Sequence, residues 1–173
     1  MKMTKFKEAV LWEKQGDDKV RCSLCSHRCL IGNQQKGRCG VRQNCNGVLY
    51  SLNYDKVCAA NADPVEKKPL FHFLPGSGSF SISCPGCNFQ CDFCQNWQIS
   101  QQGLSGLLQG SSYSPDEIVQ AAVKSNCSSI AYTYTEPTIF MELALDCGKL
   151  AKEHDLRNRS EEHTSELQSL LII

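Results

Sequence analysis

Three cysteines, Cys87, Cys91 and Cys94, stand in the stretch CPGCNFQCDFCQNW as CxxxCxxC. Three thiolates this close can reach one group of irons but cannot close all four corners of it. An iron–sulfur cubane is ordinarily held by four cysteines, so a triplet leaves one iron open. An open coordination position is the mark of chemistry, as it is in catalytic as opposed to structural zinc sites. A zinc knuckle or a set of buried loop thiols is the plainer alternative. Zinc sites, however, favour paired CxxC units.

A second group, Cys22, Cys25, Cys29 and Cys39, lies in CSLCSHRCLIGNQQKGRC. A tight pair followed by two later thiols suits tetrahedral zinc, which needs four soft donors. It suits an auxiliary iron–sulfur cluster equally well. His27 sits inside the group and could replace one ligand. The remaining cysteines read as idle or core thiols: Cys84, Cys45 and Cys58 beside the two groups, Cys127 and Cys147 on apolar faces.

The elements around the triplet follow from local pattern. Ser79 to Ser83 alternates Phe80 and Ile82 with serine, which predicts a strand running straight into the cysteine loop. Ser114-Pro115-Asp116-Glu117 is a capping box with proline at the first helical position, and a helix is expected through Ser125. Ser129 to Thr135 is β-branched and aromatic, a second strand. Thr138 to His154 carries an apolar face at helical spacing, a second helix. Reactive groups gather at the carboxyl ends of strands in parallel α/β folds. Upstream, residues 5–15 predict a short helix ending at Gly16, and Asn46-Gly47 predicts a hairpin. The proline-marked segment 61–76 reads as an extended connector whose Leu70, Phe71 and Phe73 pack onto the next domain. His72 within it reads as a packed, hydrogen-bonded residue rather than a ligand.

Phe93 precedes the third cysteine, and CxxxCxΦC with Φ aromatic resembles the radical S-adenosylmethionine (radical SAM) superfamily. Together with DPVEKKPLFHF, PGS, the four-cysteine module and the CxxxCxxCQNW loop, the stretch from Lys19 to Asn158 resembles the radical SAM enzymes of the AmmeMemoRadiSam system. These are related to pyruvate formate-lyase activating enzymes. Ser26, where that group shows proline, is a departure that touches no ligand. Several things follow from the resemblance. Cys87, Cys91 and Cys94 hold a [4Fe–4S] cluster whose open iron binds the amino and carboxylate groups of S-adenosylmethionine. Reductive cleavage then gives methionine and a 5′-deoxyadenosyl radical that abstracts hydrogen from a substrate. Phe93 lies against the adenine. Glu136, in Tyr134-Thr135-Glu136-Pro137, resembles the GGEP motif of the activating enzymes, with Tyr-Thr in place of Gly-Gly, and by that resemblance contacts the methionyl amino group. A carboxylate there also suits a helix N-terminus. No catalytic residue is assigned beyond the cluster. A reductant such as flavodoxin or ferredoxin is implied. So is either a glycyl-radical protein or another substrate tied to the AmmeMemoRadiSam partners. A non-catalytic electron-transfer or zinc module is the contrasting class.

The fold class expected is α/β: the N-terminal part of a radical SAM partial (β/α) barrel preceded by a small cysteine-rich β module. Its parts are residues 1–60 (module), 61–78 (connector), 79–158 (two βα units) and 159–173 (tail). The tail, RSEEHTSELQS onward, reads as a translated sequencing-library adapter. The later strands of the barrel are therefore expected outside this sequence, and the polypeptide as written is expected to fold poorly, with exposed strand edges. Bulk composition agrees with a globular chain: 173 residues, 41% hydrophobic, with 18 basic residues against 18 acidic. No basic stripe supports nucleic-acid binding. No apolar run supports a membrane span or a signal peptide, so a cytoplasmic location is expected. Twelve cysteines in that compartment argue for metal or redox chemistry rather than disulfides.

Overall fold

The computed structural model describes residues 6–16 and 18–161. It begins with strands where a helix is expected: β1 (Lys7–Glu8) and β2 (Trp12–Gln15). Leu11 takes φ 54°, a left-handed conformation that breaks any helix. The backbone is instead paired at long range, Ala9 N to Leu49 O at 2.9 Å and Ser23 N to Leu11 O at 2.8 Å. Eleven residues without a periodic apolar face make a marginal helix, and tertiary pairing wins.

The module continues with β3 (Lys19–Cys22), β4 (Leu30–Ile31), β5 (Arg42–Cys45) and β6 (Val48–Ser51). Two antiparallel three-stranded sheets result, ordered β2-β3-β4 and β1-β6-β5. The β5–β6 hairpin turns at Asn46-Gly47, both at positive φ (55° and 80°) as a two-residue turn of that sequence requires. Val20, Cys22, Leu24, Ile31 and Leu49 form its core, and Met141 from the second domain is buried among them.

After β7 (Lys56–Val57) comes β8 (Ala59–Pro64), paired antiparallel with β9 (Gly78–Ser83) over six residues. The first part of the expected connector is thus an edge strand of the main sheet. Pro64 is tolerated there because it closes the strand, where a missing N–H costs little. A 3₁₀ turn, Val65–Lys67, follows. Phe71 and His72 are exposed rather than packed.

Two short helices, α1 (Trp97–Ser100) and α2 (Gln102–Ser105), and β10 (Ser111–Ser112), which pairs with β7, occupy the loop. Then α3 (Pro115–Lys124) leads to β11 (Cys127–Tyr132), and α4 (Met141–Glu153), entered through a 3₁₀ turn, leads to β12 (Arg157–Ser160). Both halves of the capping box are made: Ser114 Oγ accepts from Glu117 N at 3.2 Å, and Glu117 Oε2 accepts from Ser114 N at 2.8 Å. The main sheet runs β12-β11-β9-β8, with β9, β11 and β12 parallel. β12 extends through Arg159 and Ser160, so the head of the tail segment takes part in the sheet; residues 162–173 lie outside the described residues.

Phe80 and Ile82 of β9 and Ile130 and Tyr132 of β11 pack with Ile118, Val119, Leu143 and Cys147 of the helices. The other face of β9 is serine, yet Ser79, Ser81 and Ser83 are fully buried. Their hydroxyl side faces not solvent but a polar interior. Ser81 donates to Asp63 Oδ2 at 3.1 Å, and Ser83 meets Thr135 Oγ1 at 2.9 Å. Module and main domain are joined by a buried ion pair, Arg42 to Glu142, with side chains 1% and 0% exposed. Val10 serves both ends: its N–H donates to Glu142 Oε1 at 2.8 Å, and its carbonyl accepts from Arg42 Nη1 at 2.9 Å.

Candidate functional site

β9 delivers the cysteine loop and β11 delivers the Tyr134–Glu136 turn at the same, carboxyl edge of the sheet. The two are sewn together. Thr135 Oγ1 donates to Cys84 O at 2.9 Å, and Asn96 Nδ2 donates to Tyr134 O at 2.9 Å. Between them opens a cavity of about 370 Å³. Cys87, Cys91, Cys94, Tyr134 and Glu136 all line it.

Cys91 is exposed and Cys87 and Cys94 are half-buried. Burial pushes the Cys87 thiol up, against backbone N–H donors from Phe89 and Glu136 that favour the thiolate. Amides aimed at sulfur are what a metal-bound thiolate uses to spread its charge. Cys94 Sγ lies 3.5 Å from Ser100 Oγ. Cys84 is fully buried, absent from the cavity wall, and held as a thiol by burial. Glu136 is 4% exposed, and its Oε1 accepts from Thr138 Oγ1 at 2.6 Å. Phe93 is 88% exposed and does not line the cavity.

Gly86 lets the loop pass close over the module. It takes φ 101°, and a Cβ there would stand 2.4 Å from Val41 Cγ1. The loop is also tied to the module at its far side, His27 Nε2 to Asn88 O at 3.0 Å. His27 is thereby engaged with the Cys87–Cys94 loop.

Cys22, Cys25, Cys29 and Cys39 line one small cavity of about 20 Å³ with His27 and Arg42. Arg42 Nη1 is 3.7 Å from Cys22 Sγ. Burial raises Cys39 to about 11, partly offset by the Val41 amide and the Arg42 charge. Among the described residues no three His, Cys, Asp or Glu side chains already converge as ligands of one metal ion. The larger cavity, of about 370 Å³ with three cysteines in its wall, has room for a multi-iron guest.

Lys67 and Lys68, from the segment expected as a connector, line the same cavity, and Asp63 behind them holds both. Asp63, at the end of β8, accepts from Lys67 at 2.8 Å, Tyr134 Oη at 2.9 Å and Lys68 at 3.2 Å. Lys67 and Lys68 both reach the cavity wall. The available signal was the Asp63–Lys67 spacing of four, across a turn too short to be a helix.

A family model of the radical SAM superfamily matches residues 81–168, from the strand that precedes the cysteine loop onward. The chain belongs to the radical SAM superfamily. Membership implies, in general terms, a [4Fe–4S] cluster, S-adenosylmethionine and a reductant. An uncharacterized protein of Methanocaldococcus jannaschii is 45% identical over 153 residues, covering 88% of this chain and 46% of that protein. A second uncharacterized protein of the same organism is 33% identical over 81 residues, 46% of this chain and 19% of its own length. The chain thus spans about half the length or less of these curated relatives. No solved structure matches it. No helix among the described residues is long and apolar enough to cross a membrane.

Proposed function

We propose that this chain is the cluster-bearing part of a radical SAM enzyme of the AmmeMemoRadiSam type, built on a partial (β/α) barrel. Cys87, Cys91 and Cys94 would hold a [4Fe–4S] cluster and leave one iron for S-adenosylmethionine. Bound there, the cluster would supply one electron to cleave the sulfonium's bond to the 5′ carbon, yielding a radical that takes hydrogen from the substrate. The observation that carries the reading is the meeting of three thiols and a buried carboxylate, Glu136, in one cavity at the carboxyl ends of parallel strands.

The chain's own residues divide the work. Glu136 accepts a charge-assisted hydrogen bond from the methionyl ammonium. The Phe89 and Glu136 amides spread charge from the Cys87 sulfur. Phe93 stands beside the third ligand but outside the cavity wall, so a contact with the adenine would require the cysteine loop to turn its ring inward. The substrate class, a glycyl-radical protein or another, would be set by chain beyond this portion.

The N-terminal module reads as a second, structural metal site, and the size of its cavity favours zinc. A cavity of about 20 Å³ has room for one water-sized guest, whereas a cubane needs many times that. Closing on one ion asks the four thiols to draw inward from where they stand.

Anaerobically reconstituted full-length protein, given dithionite and S-adenosylmethionine, is expected to release 5′-deoxyadenosine, and Cys91→Ala to abolish both release and iron. Zinc without iron at the triplet, with no release, would overturn the enzyme reading. A Cys87→Ala/Cys91→Ala/Cys94→Ala protein should still carry one zinc. An iron–sulfur absorbance in it would instead assign a cluster to the module.

A further inference from the structure

The cluster cavity carries a charge pattern that its cysteines do not explain. Asp63 Oδ2 accepts from Ser81, Tyr134 and Lys68, while Oδ1 accepts from Lys67. One carboxylate therefore serves two ammonium groups, and the trio keeps one net positive charge. Burial works against ionisation of Asp63. The bonds from Lys67, Tyr134, Lys68 and Ser81 overcome it and hold the carboxyl well below the usual carboxylate range.

The surplus charge falls on two different lysines. The Lys67 side chain is 61% exposed, so water can meet its charge. That of Lys68 is 5% exposed. Its Nζ lies 4.5 Å from the centroid of the Tyr134 ring, whose face gives partial compensation. An ammonium has three donors, and burying its charge is costly unless it is met.

Tyr134 lies two residues before Glu136, and both side chains belong to the cavity wall. Glu161 in the same wall is paired with Arg159 at 3.2 Å and adds no net charge. The wall thus presents a buried ammonium and a buried carboxylate, the complement of an α-amino-acid zwitterion. S-adenosylmethionine carries such a group at its methionyl end.

Building on the proposed radical SAM reading, we infer that Lys68 is a cofactor-binding residue. Its ammonium takes the methionyl carboxylate while Glu136 takes the methionyl ammonium. Asp63 and Tyr134 are positioning residues that keep Lys68 aimed into the cavity. The DPVEKKP segment thereby acquires a role that a connector would not need.

The test compares S-adenosylmethionine with its decarboxylated analogue, binding to anaerobically reconstituted full-length protein. Lys68→Met, with iron and sulfide content unchanged, should weaken S-adenosylmethionine by about tenfold or more, the scale of one lost charge-assisted bond. It should leave the analogue's affinity nearly as in the parent, and Lys68→Arg should recover most of the loss. Equal weakening of both ligands would make Lys68 structural, and no weakening of either would remove it from the site. Both results overturn the inference and leave the radical SAM reading standing. A parent protein that takes up its cluster yet binds neither ligand would overturn that reading and the inference with it.

Discussion

Gly86→Ala is the sharpest perturbation of the loop that carries the cluster ligands. Two costs can be separated. Alanine at φ 101° is strained whatever surrounds it, about 1–3 kcal/mol. The new Cβ also stands 2.4 Å from Val41 Cγ1, in a contact that must shift, for about 1–3 kcal/mol more. Gly76, at φ 75° with nothing within 4 Å of its would-be Cβ, supplies the control, since Gly76→Ala carries the strain alone. Urea unfolding should therefore show Gly86→Ala about 2–6 kcal/mol less stable than the parent and Gly76→Ala about 1–3. Adding Val41→Ala should recover part of the Gly86→Ala loss, a coupling of about 1 kcal/mol or more. Iron loading should fall with Gly86→Ala, because Cys87 is the next residue, and stay normal with Gly76→Ala. Equal losses in the two single variants, with no coupling to Val41, would refute the claim that the loop is seated against the module through Gly86.

Asp63→Asn should flatten the acid limb of stability. A carboxyl held below its ordinary value of 3.8 contributes stability that is complete above that value and is lost as pH falls through the folded-state value. An unchanged urea midpoint slope from about pH 5 to 2 would contradict the four-donor account of Asp63. Glu142→Ala strands the buried Arg42 guanidinium and the Val10 amide. It should cost about 3–5 kcal/mol in urea unfolding, and a loss under about 1 kcal/mol would show that module and main domain are not joined there.

Most of what local pattern controls was legible in the chain. The capping box at Ser114 starts its helix, Asn46-Gly47 turns its hairpin, and Phe80 and Ile82 mark their strand. The errors came where distant pairing decides. Residues 5–15 look helical until Leu49 and Ser23 supply backbone partners. β8 looks like a connector because its partners lie in β9, fourteen or more residues on. The alternation in β9 marks a strand but says nothing of its serine face, since period two cannot tell water from a polar interior. The site divided in the same way. The CxxxCxxC spacing brings its thiols together through a single loop. Glu136 was reached only through a motif resemblance. Lys68 could not be reached at all, because its place in the cavity wall depends on a fold that brings Asp63 to Tyr134, 71 residues apart.

Mössbauer spectroscopy on full-length protein reconstituted with ⁵⁷Fe, with and without S-adenosylmethionine, tests the central claim most directly. Three protein thiolates predict a cubane in which one iron has no cysteine, so adding S-adenosylmethionine should shift the signal of that iron and leave its neighbours unmoved. A spectrum indifferent to S-adenosylmethionine, or a cluster that survives in Cys91→Ala, would contradict the assignment of Cys87, Cys91 and Cys94 as a three-point seat with an open corner.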